Sequence, residues 1–454
     1  MSRHLCFAAL LGLCFSLAEP VFAHSDKATH DEVLMLSDIH LDPYAESAQL
    51  EWLRQACPDD GLSTNAALLR STLAAARQTA PDVRFVIVAG DYLAHGFQCR
   101  YQAMHPQATP EQYSDFVVET IQGIARQIKA AYPRVPVLMA LGNHDSGCGN
   151  YRQEAGDRFT RKVAAIMAEI AARSADEARA LKAQYAKGGY MAFEVTDRFR
   201  LLLINDTPMS RNFRTCKGAP NWPLENAQFQ WLSGQLRQAQ QKHHKVWVLG
   251  HIPPGIEPWG SLRHRDACQK NQPIKFMRTE RLATTMASYA DTVTLGIFGH
   301  THMDELRWLA PGVPIKVLPA ITPSGGNMPA FTIGSYVANT GELSDYTVFS
   351  SSSKTGSDDA RWERLYNYRE TYHLPSFSGA AVGFLTAQLQ ADTRGSDLAS
   401  QAYMRVYSAG SARPRSSLLH KDETWHAYAC SLSLPDDSDF LRCSCPSGGK
   451  ILVQ

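Results

Sequence analysis

Five short polar clusters in this sequence combine carboxylate, imidazole and carboxamide side chains, four of them behind a glycine. They are Asp38-Ile39-His40-Leu41-Asp42, Gly90-Asp91-Tyr92-Leu93-Ala94-His95, Gly142-Asn143-His144-Asp145, Gly250-His251 and Gly299-His300-Thr301-His302. Oxygen and imidazole donors without thiolate suit Zn, Mn or Fe rather than Ca or Cu(I). Imidazole is also the side chain best placed to move a proton near neutral pH. Taken alone, each cluster reads equally well as a turn with a capping Asp and an incidental His. Their shared position separates the two readings. Each follows directly on an apolar run that reads as a strand, and open α/β sheets place their ligands at strand C-terminal ends.

Those runs are Glu32–Ser37, Val83–Ala89, Val135–Leu141, Lys245–Leu249 and Thr292–Phe298, with Arg200–Asn205 a sixth of the same kind. Between them the spacing predicts helices over Ala66–Thr79, Phe116–Ala131, Arg161–Ala186 and Asn226–Gln241. Strand–helix alternation from Asp31 to about Val348 implies an α/β domain. Ile315–Leu318, Phe331–Val337 and Tyr346–Ser350 read as hairpin or edge strands, with Asn339-Thr340-Gly341 as a turn. The Ser-rich stretch Ser350–Asp358 reads as a linker. Trp362–Cys445 beyond it carries helical patterns with little strand character. The expected division is a signal peptide over 1–23, a main domain over 24–350 and a helical region with a cysteine cluster over 351–454.

Composition narrows the function classes. The 454 residues are 44% hydrophobic and 20% charged, a globular rather than a disordered balance. A net charge of +1 gives no electrostatic footprint for nucleic acid or an anionic membrane surface. Met1–Ala23 has a short basic start, an apolar run too short to span a bilayer and a small-x-small end at Val21-Phe22-Ala23, the pattern of a cleaved secretory signal. No later stretch is long and apolar enough for a spanning helix. The expected location is therefore secreted or periplasmic. Cysteines 57, 99, 148, 216, 268, 430, 443 and 445 would remain after cleavage, and an even number in an exported chain favours disulfides. Eight cysteines allow 105 pairings, so connectivity stays open; the last three suggest a locally stapled C-terminal segment.

The series DxH, GD, GNHD, GH and GHTH resembles the calcineurin-like metallophosphoesterases, and more closely the acid sphingomyelinase-like phosphodiesterases. The second resemblance rests on the extension of Gly90-Asp91 to His95, on Lys187-Gly188-Gly189-Tyr190, and on Met303-Asp304 followed by Thr322–Pro329 and Asp345-Tyr346. Trp362, Tyr372 and the late cysteines extend it to Cys445. The resemblance implies a sandwich of two sheets flanked by helices, with a disulfide-containing helical appendage. It implies two divalent metals, with Zn expected and Mn or Fe as alternatives. One would take Asp38, His40, Asp91 and His302, and the other Asp91, Asn143, His251 and His300, so that Asp91 bridges. His144 and His95 are left over from that set and are the expected proton-transfer residues. Asp42 and Asp145 are read as supporting or turn residues.

The expected activity is hydrolysis of a small phosphodiester or nucleotide, with a lipid headgroup as a further option, by a monomer. With the signal cleaved, the sequence leaves no room for a saposin module, so attack on membrane-embedded lipid is not expected. The single sequon, Asn205-Asp206-Thr207, abuts a buried strand. Animal members of the group are heavily glycosylated, so the chain reads as bacterial. Two alternatives stay open: a nucleotide or polyphosphate phosphoanhydride hydrolase on the same metals, and a non-catalytic metal or phosphate binder.

Overall fold

The structure is a computed structural model and describes residues 30–57, 61–154, 156–220, 222–263, 272–411, 419, 422–433 and 435–445. The expected signal segment and Cys268 lie outside the described residues. The strands, in chain order, are β1 (His30–Leu36), β2 (Phe85–Val88), β3 (Val137–Met139), β4 (Met191–Thr196), β5 (Phe199–Leu203), β6 (Lys245–Leu249), β7 (Val293–Phe298), β8 (Glu305–Leu309), β9 (Val313–Val317), β10 (Ala330–Val337), β11 (Glu342–Ser351) and β12 (Trp362–Asn367). They form two six-stranded sheets, ordered β12-β11-β10-β1-β2-β3 and β4-β5-β6-β7-β9-β8. β1-β2-β3 at one end of the first sheet and β5-β6-β7-β9 in the second pair in parallel, so within each sheet their C-terminal ends face one way.

Burial on both faces explains why these strands read as unbroken apolar runs. Val33–Leu36, Phe85–Val88, Leu201–Leu203 and Val246–Leu249 are all buried. Between the sheets an aromatic cluster joins β2 and β10 of one sheet to β5 and β6 of the other. Trp247 of β6 packs 6.0 Å from Phe85, 5.0 Å from Phe199 and 5.3 Å from Tyr336 between ring centroids. Its indole Nε1 donates to the carbonyl of Gly341 at 2.6 Å, so the buried polar tip is satisfied. Gly341 closes the β10–β11 turn at φ 58°, where an added Cβ would meet Phe199 at 2.8 Å.

Local capping sets the helix limits. Ala66–Thr79 starts where the Asn65 side chain accepts from the Leu68 amide. The helix expected over Phe116–Ala131 runs from Pro110 to Ala131, earlier than the apolar periodicity suggests, because Thr109 and Gln112 form a capping box. The single helix expected over Arg161–Ala186 is two helices, Arg158–Ala171 and Ala175–Tyr185. Ala172 is extended, and Ser174 caps the second helix by accepting from Glu177.

The chain after the Ser-rich stretch opens with a strand. β12 pairs antiparallel with β11 and extends the first sheet before the helical part begins. The helices Gly379–Ala391, Leu398–Val406, Asp422–Ser431 and Asp437–Ser444 follow. They cover the β8 edge, where the Trp308 amide donates to Leu432 and the Asp304 amide to Tyr407. This interface buries charge in pairs. Arg307 bonds Glu305, and Lys316 bonds Asp304, which also accepts from the Tyr366 hydroxyl at 2.9 Å. Disulfides join Cys57 to Cys99, Cys148 to Cys216 and Cys430 to Cys443, and Cys445 is disulfide-bonded too.

Lys316→Met leaves the Asp304 carboxylate buried without its cation. The variant should unfold about 3–5 kcal/mol more easily near neutral pH. Burial already raises the Asp304 pKa, so protonation offsets part of the loss and the deficit shrinks as pH falls toward the ordinary carboxylate range. Denaturant titrations of the variant and of Asp304→Leu/Lys316→Met at two pH values check this. Equal stability of the single variant and wild type would contradict it.

Candidate metal centre

The five clusters meet at one point between the two sheets, and their backbones interlock before any side chain is considered. The Asp38 amide donates to Gly90 and the His40 amide to Asp91, which zips the turn after β1 to the turn after β2. The Gly299 amide donates to His251, and the His300 amide reaches the Asp38 carboxylate at 3.1 Å. Crowding explains the glycines. A Cβ on Gly142 would stand 2.1 Å from Asp91 Oδ1, one on Gly250 2.3 Å from Asp206 Oδ2, and one on Gly299 2.0 Å from Ser37 Oγ. Asp38, His40, Asp91, His300 and His302 all adopt positive φ, between 45° and 74°. Non-glycine residues rarely hold that conformation, and such strain concentrates at functional sites.

The side chains converge tightly. His40 Nε2 lies 3.5 Å from Asp91 Oδ2 and 3.9 Å from Asp38 Oδ1, and His302 Nε2 lies 3.6 Å from Asp38 Oδ1. The two Nε2 atoms are 3.2 Å apart. On the other side of Asp91, His251 Nε2 lies 3.0 Å from Oδ2 and 3.1 Å from Asn143 Oδ1. Asp91, His251 and His300 also bring ligand atoms within 4.8 Å of one another. Thus all seven residues expected to bind metal are together, and Asp91 sits between the two halves. Asp38, His40, Asp91, Asn143, His251 and His302 are buried; His300 is partly so.

The donor set fits cations. His40 Nδ1 donates to the Leu93 carbonyl at 2.8 Å and His251 Nδ1 to the Ala89 carbonyl at 2.7 Å. A neutral ring so held turns its Nε2 lone pair inward. For His251 that lone pair faces a carboxylate and an amide oxygen, so the point requires positive charge, as a proton or a metal. Asn143 Nδ2 donates to Asn150 at 2.8 Å, which fixes its Oδ1 toward the centre. From the protein's own charges, burial pushes Asp38 up to about 7, against the pull of His251. Burial opposes ionisation of Asp91 too, but His251 and His144 outweigh it and hold that carboxyl well below its usual range. Burial, then the neighbouring imidazoles, drive His40 and His302 well down and His300 to about 3. Burial would lower His251 as well, yet Asp91 carries it up to about 10.

A second layer orients these groups. Asp145 accepts from the amides of Tyr92 and Gly142 at 2.7 and 2.8 Å, and Asp42 pairs with the buried Arg100, so both act as supports. Ser37 bonds Asp38 at 2.5 Å, and Ser324 bonds His302 Nδ1 at 3.1 Å. His95 stacks on His40 at 4.2 Å, and His144 lies edge-on to both, 4.7 and 5.1 Å away. Unlike most of the expected ligands, both are only half-buried.

Three supporting residues escape motif reading. Asp206, after β5, accepts from the His251 and Ile252 amides at 2.6 and 2.9 Å; its place at a strand end was the available signal. Asn150 and Tyr151 belong to the turn after β3, where only the structure shows their reach. Asn205 of the sequon is buried, and its Nδ2 donates to Gln153 and Gly188, which leaves no room for a glycan on the folded chain.

A sandwich that gathers such a donor set at its strand ends defines a class, the metal-dependent hydrolases of phosphoric esters. Within it, the chain belongs to the calcineurin-like phosphoesterase family, whose model matches residues 32–304. The chain is 24% identical to acid sphingomyelinase-like phosphodiesterase 3b of Homo sapiens, over 91% of this chain and 90% of that protein. It is 29% identical to the Homo sapiens cyclic GMP-AMP phosphodiesterase over 47% of this chain and 45% of that one. It is 27% identical to the Homo sapiens sphingomyelin phosphodiesterase over 57% and 40%. The chain thus spans under half the length of the last two relatives. Among the described residues no helix is long and apolar enough to cross a membrane.

Gly142→Ala tests the crowding directly. The methyl group must displace Asp91, so activity on a phosphate ester should fall at least about 100-fold, as for a misplaced catalytic group, with bound metal below wild type. Gly123→Ala, a helix position with nothing within 4 Å of its added Cβ, should keep both. Wild-type metal content and activity in Gly142→Ala would refute the packing argument.

Proposed function

We propose that the chain is an exported phosphodiesterase holding two divalent cations, zinc first, with manganese or iron as alternatives. Asp38, His40, Asp91 and His302 hold one cation; Asp91, Asn143, His251 and His300 hold the other, with Asp91 as the bridge. When bound, two cations about 3.5–4 Å apart supply Lewis acidity toward phosphoryl oxygens and make water nucleophilic near neutral pH. The chain's own residues do the rest. Asn143 contributes a neutral oxygen, which leaves positive charge for an anionic substrate. Asp206 and the Ala89 carbonyl hold His251 in one orientation, and Ser324 does the same for His302.

One observation carries the choice of reaction. Two imidazoles beyond the proposed ligands, His144 and His95, stand half-buried against His40. An alkoxide leaving group needs a proton, and a phosphate leaving group from an anhydride depends on it less. The pair therefore favours an ester with an alcohol leaving group over a nucleotide or polyphosphate anhydride. In this reading His144 gives its proton to the leaving oxygen, and His95 orients the donor or the phosphoryl group. The substrate is a small phosphodiester, with a nucleotide or a lipid headgroup attached through the ester that is cut. Relatives named as phosphodiesterases support the reaction class. The disulfides support export, since such bonds persist in oxidising compartments.

Leaving-group basicity separates these roles. His144→Ala should lose about 10²–10⁴-fold on an alkyl diester and far less on a nitrophenyl diester, with metals retained. His95→Ala should follow the same trend more weakly. Equal losses of His144→Ala on both substrates would remove it as the proton donor.

A further inference from the structure

Tyr151 is placed with unusual firmness for a residue outside every motif. Its φ is 55°, a conformation that bulky side chains rarely hold. The backbone is fixed on both sides: its amide donates to the Asn143 carbonyl at 2.8 Å, and its carbonyl accepts from the Arg214 amide at 3.0 Å. The Cys148–Cys216 disulfide staples the same two loops. The side chain reaches the centre, with its hydroxyl 3.4 Å from His300 Nε2 and its ring nearly perpendicular to the imidazole, at 87°. From the other loop, the Asn212 side chain favours the ionised form of the phenol, as an amide N–H directed at its oxygen does, so it does not compete for the phenol proton.

A phenol has one proton to donate, and His300 Nε2 is the acceptor that faces it. With a cation bound, His300 would no longer offer that acceptor, whichever ring nitrogen held the cation. If His300 binds through Nε2, the lone pair is engaged. If it binds through Nδ1, then Nε2 carries the hydrogen and becomes a donor to the phenol. Both cases leave the Tyr151 hydroxyl proton directed at another acceptor in the cleft. We propose, resting on the phosphoesterase reading above, that the Tyr151 hydroxyl donates a hydrogen bond to a non-bridging phosphoryl oxygen of the bound ester. The strained, doubly anchored backbone then holds a neutral donor where negative charge gathers, the arrangement that makes such donors effective.

Inorganic phosphate is the probe, because its binding does not depend on which ester the enzyme cuts. Calorimetric titration into the metal-loaded full chain should show Tyr151→Phe binding phosphate about 10- to 100-fold more weakly than wild type, the loss expected for one hydrogen bond to a charged group. Metal content of the same samples should be unchanged, and kcat/KM on a diester should fall in parallel. Phosphate affinity within about twofold of wild type would overturn the proposal, since deleting a hydrogen bond to an anion costs more than that. Loss of metal together with affinity would also overturn it, by showing that the hydroxyl acts through His300. Failure of the wild type to cleave any diester would count against the proposed reaction while the phosphate result still judged Tyr151.

Discussion

The close packing around the Asp91 carboxylate is the constraint from which the rest of the structure follows. Its Oδ2 meets His251 and His40, its Oδ1 accepts from the His144 amide at 2.9 Å, and its own carbonyl accepts from His40. A carboxylate buried this deeply stays ionised only where positive charge surrounds it. Each neighbour must therefore approach within hydrogen-bonding distance, and no bulky residue can stand between them. Gly142 and the left-handed backbone at Asp91 answer that demand directly. Strand direction answers it at larger scale, because only parallel strands bring so many turns to one end of the sandwich.

The supports are graded in the same sense. Carboxylates that do not face the centre, Asp145 and Asp206, are spent on backbone amides, and burial pushes each up to about 7. They fix loops rather than bind ligands. Farther out, the C-terminal region holds the β8 edge through the Tyr407 and Leu432 carbonyls and through the Tyr366 hydroxyl on Asp304, directly after the last cluster. The helical region thus shares its interface with the chain that carries His300 and His302.

Much of this was legible in the sequence because the signals were local. β1, β2, β3, β6 and β7 are buried on both faces and read as apolar runs, and the polar cluster after each marks its end. β8 was not legible. Its Glu305 and Arg307 look like solvent-facing residues, yet they are buried because they pair with each other, Arg307 donates to the Ile256 carbonyl and Glu305 accepts from the Tyr407 hydroxyl. β12 escaped because an edge strand with exposed Glu363 and Arg364 carries little of the buried-strand pattern. The break between the helices near residue 172 hid within an Ala-rich stretch where only Ser174 marks a cap. Tyr151 had no sequence signal, since a disulfide, a left-handed turn and two distant backbone bonds place it.

The central claim is a pair of cations bridged by Asp91, and X-ray diffraction from crystals of the purified protein at a metal absorption edge tests it most directly. The account predicts two anomalous peaks about 3.5–4 Å apart, with Asp91 bonded to both, His40 and His302 on one, and His251 and Asn143 on the other. A single peak, or two peaks that do not share Asp91, would contradict it.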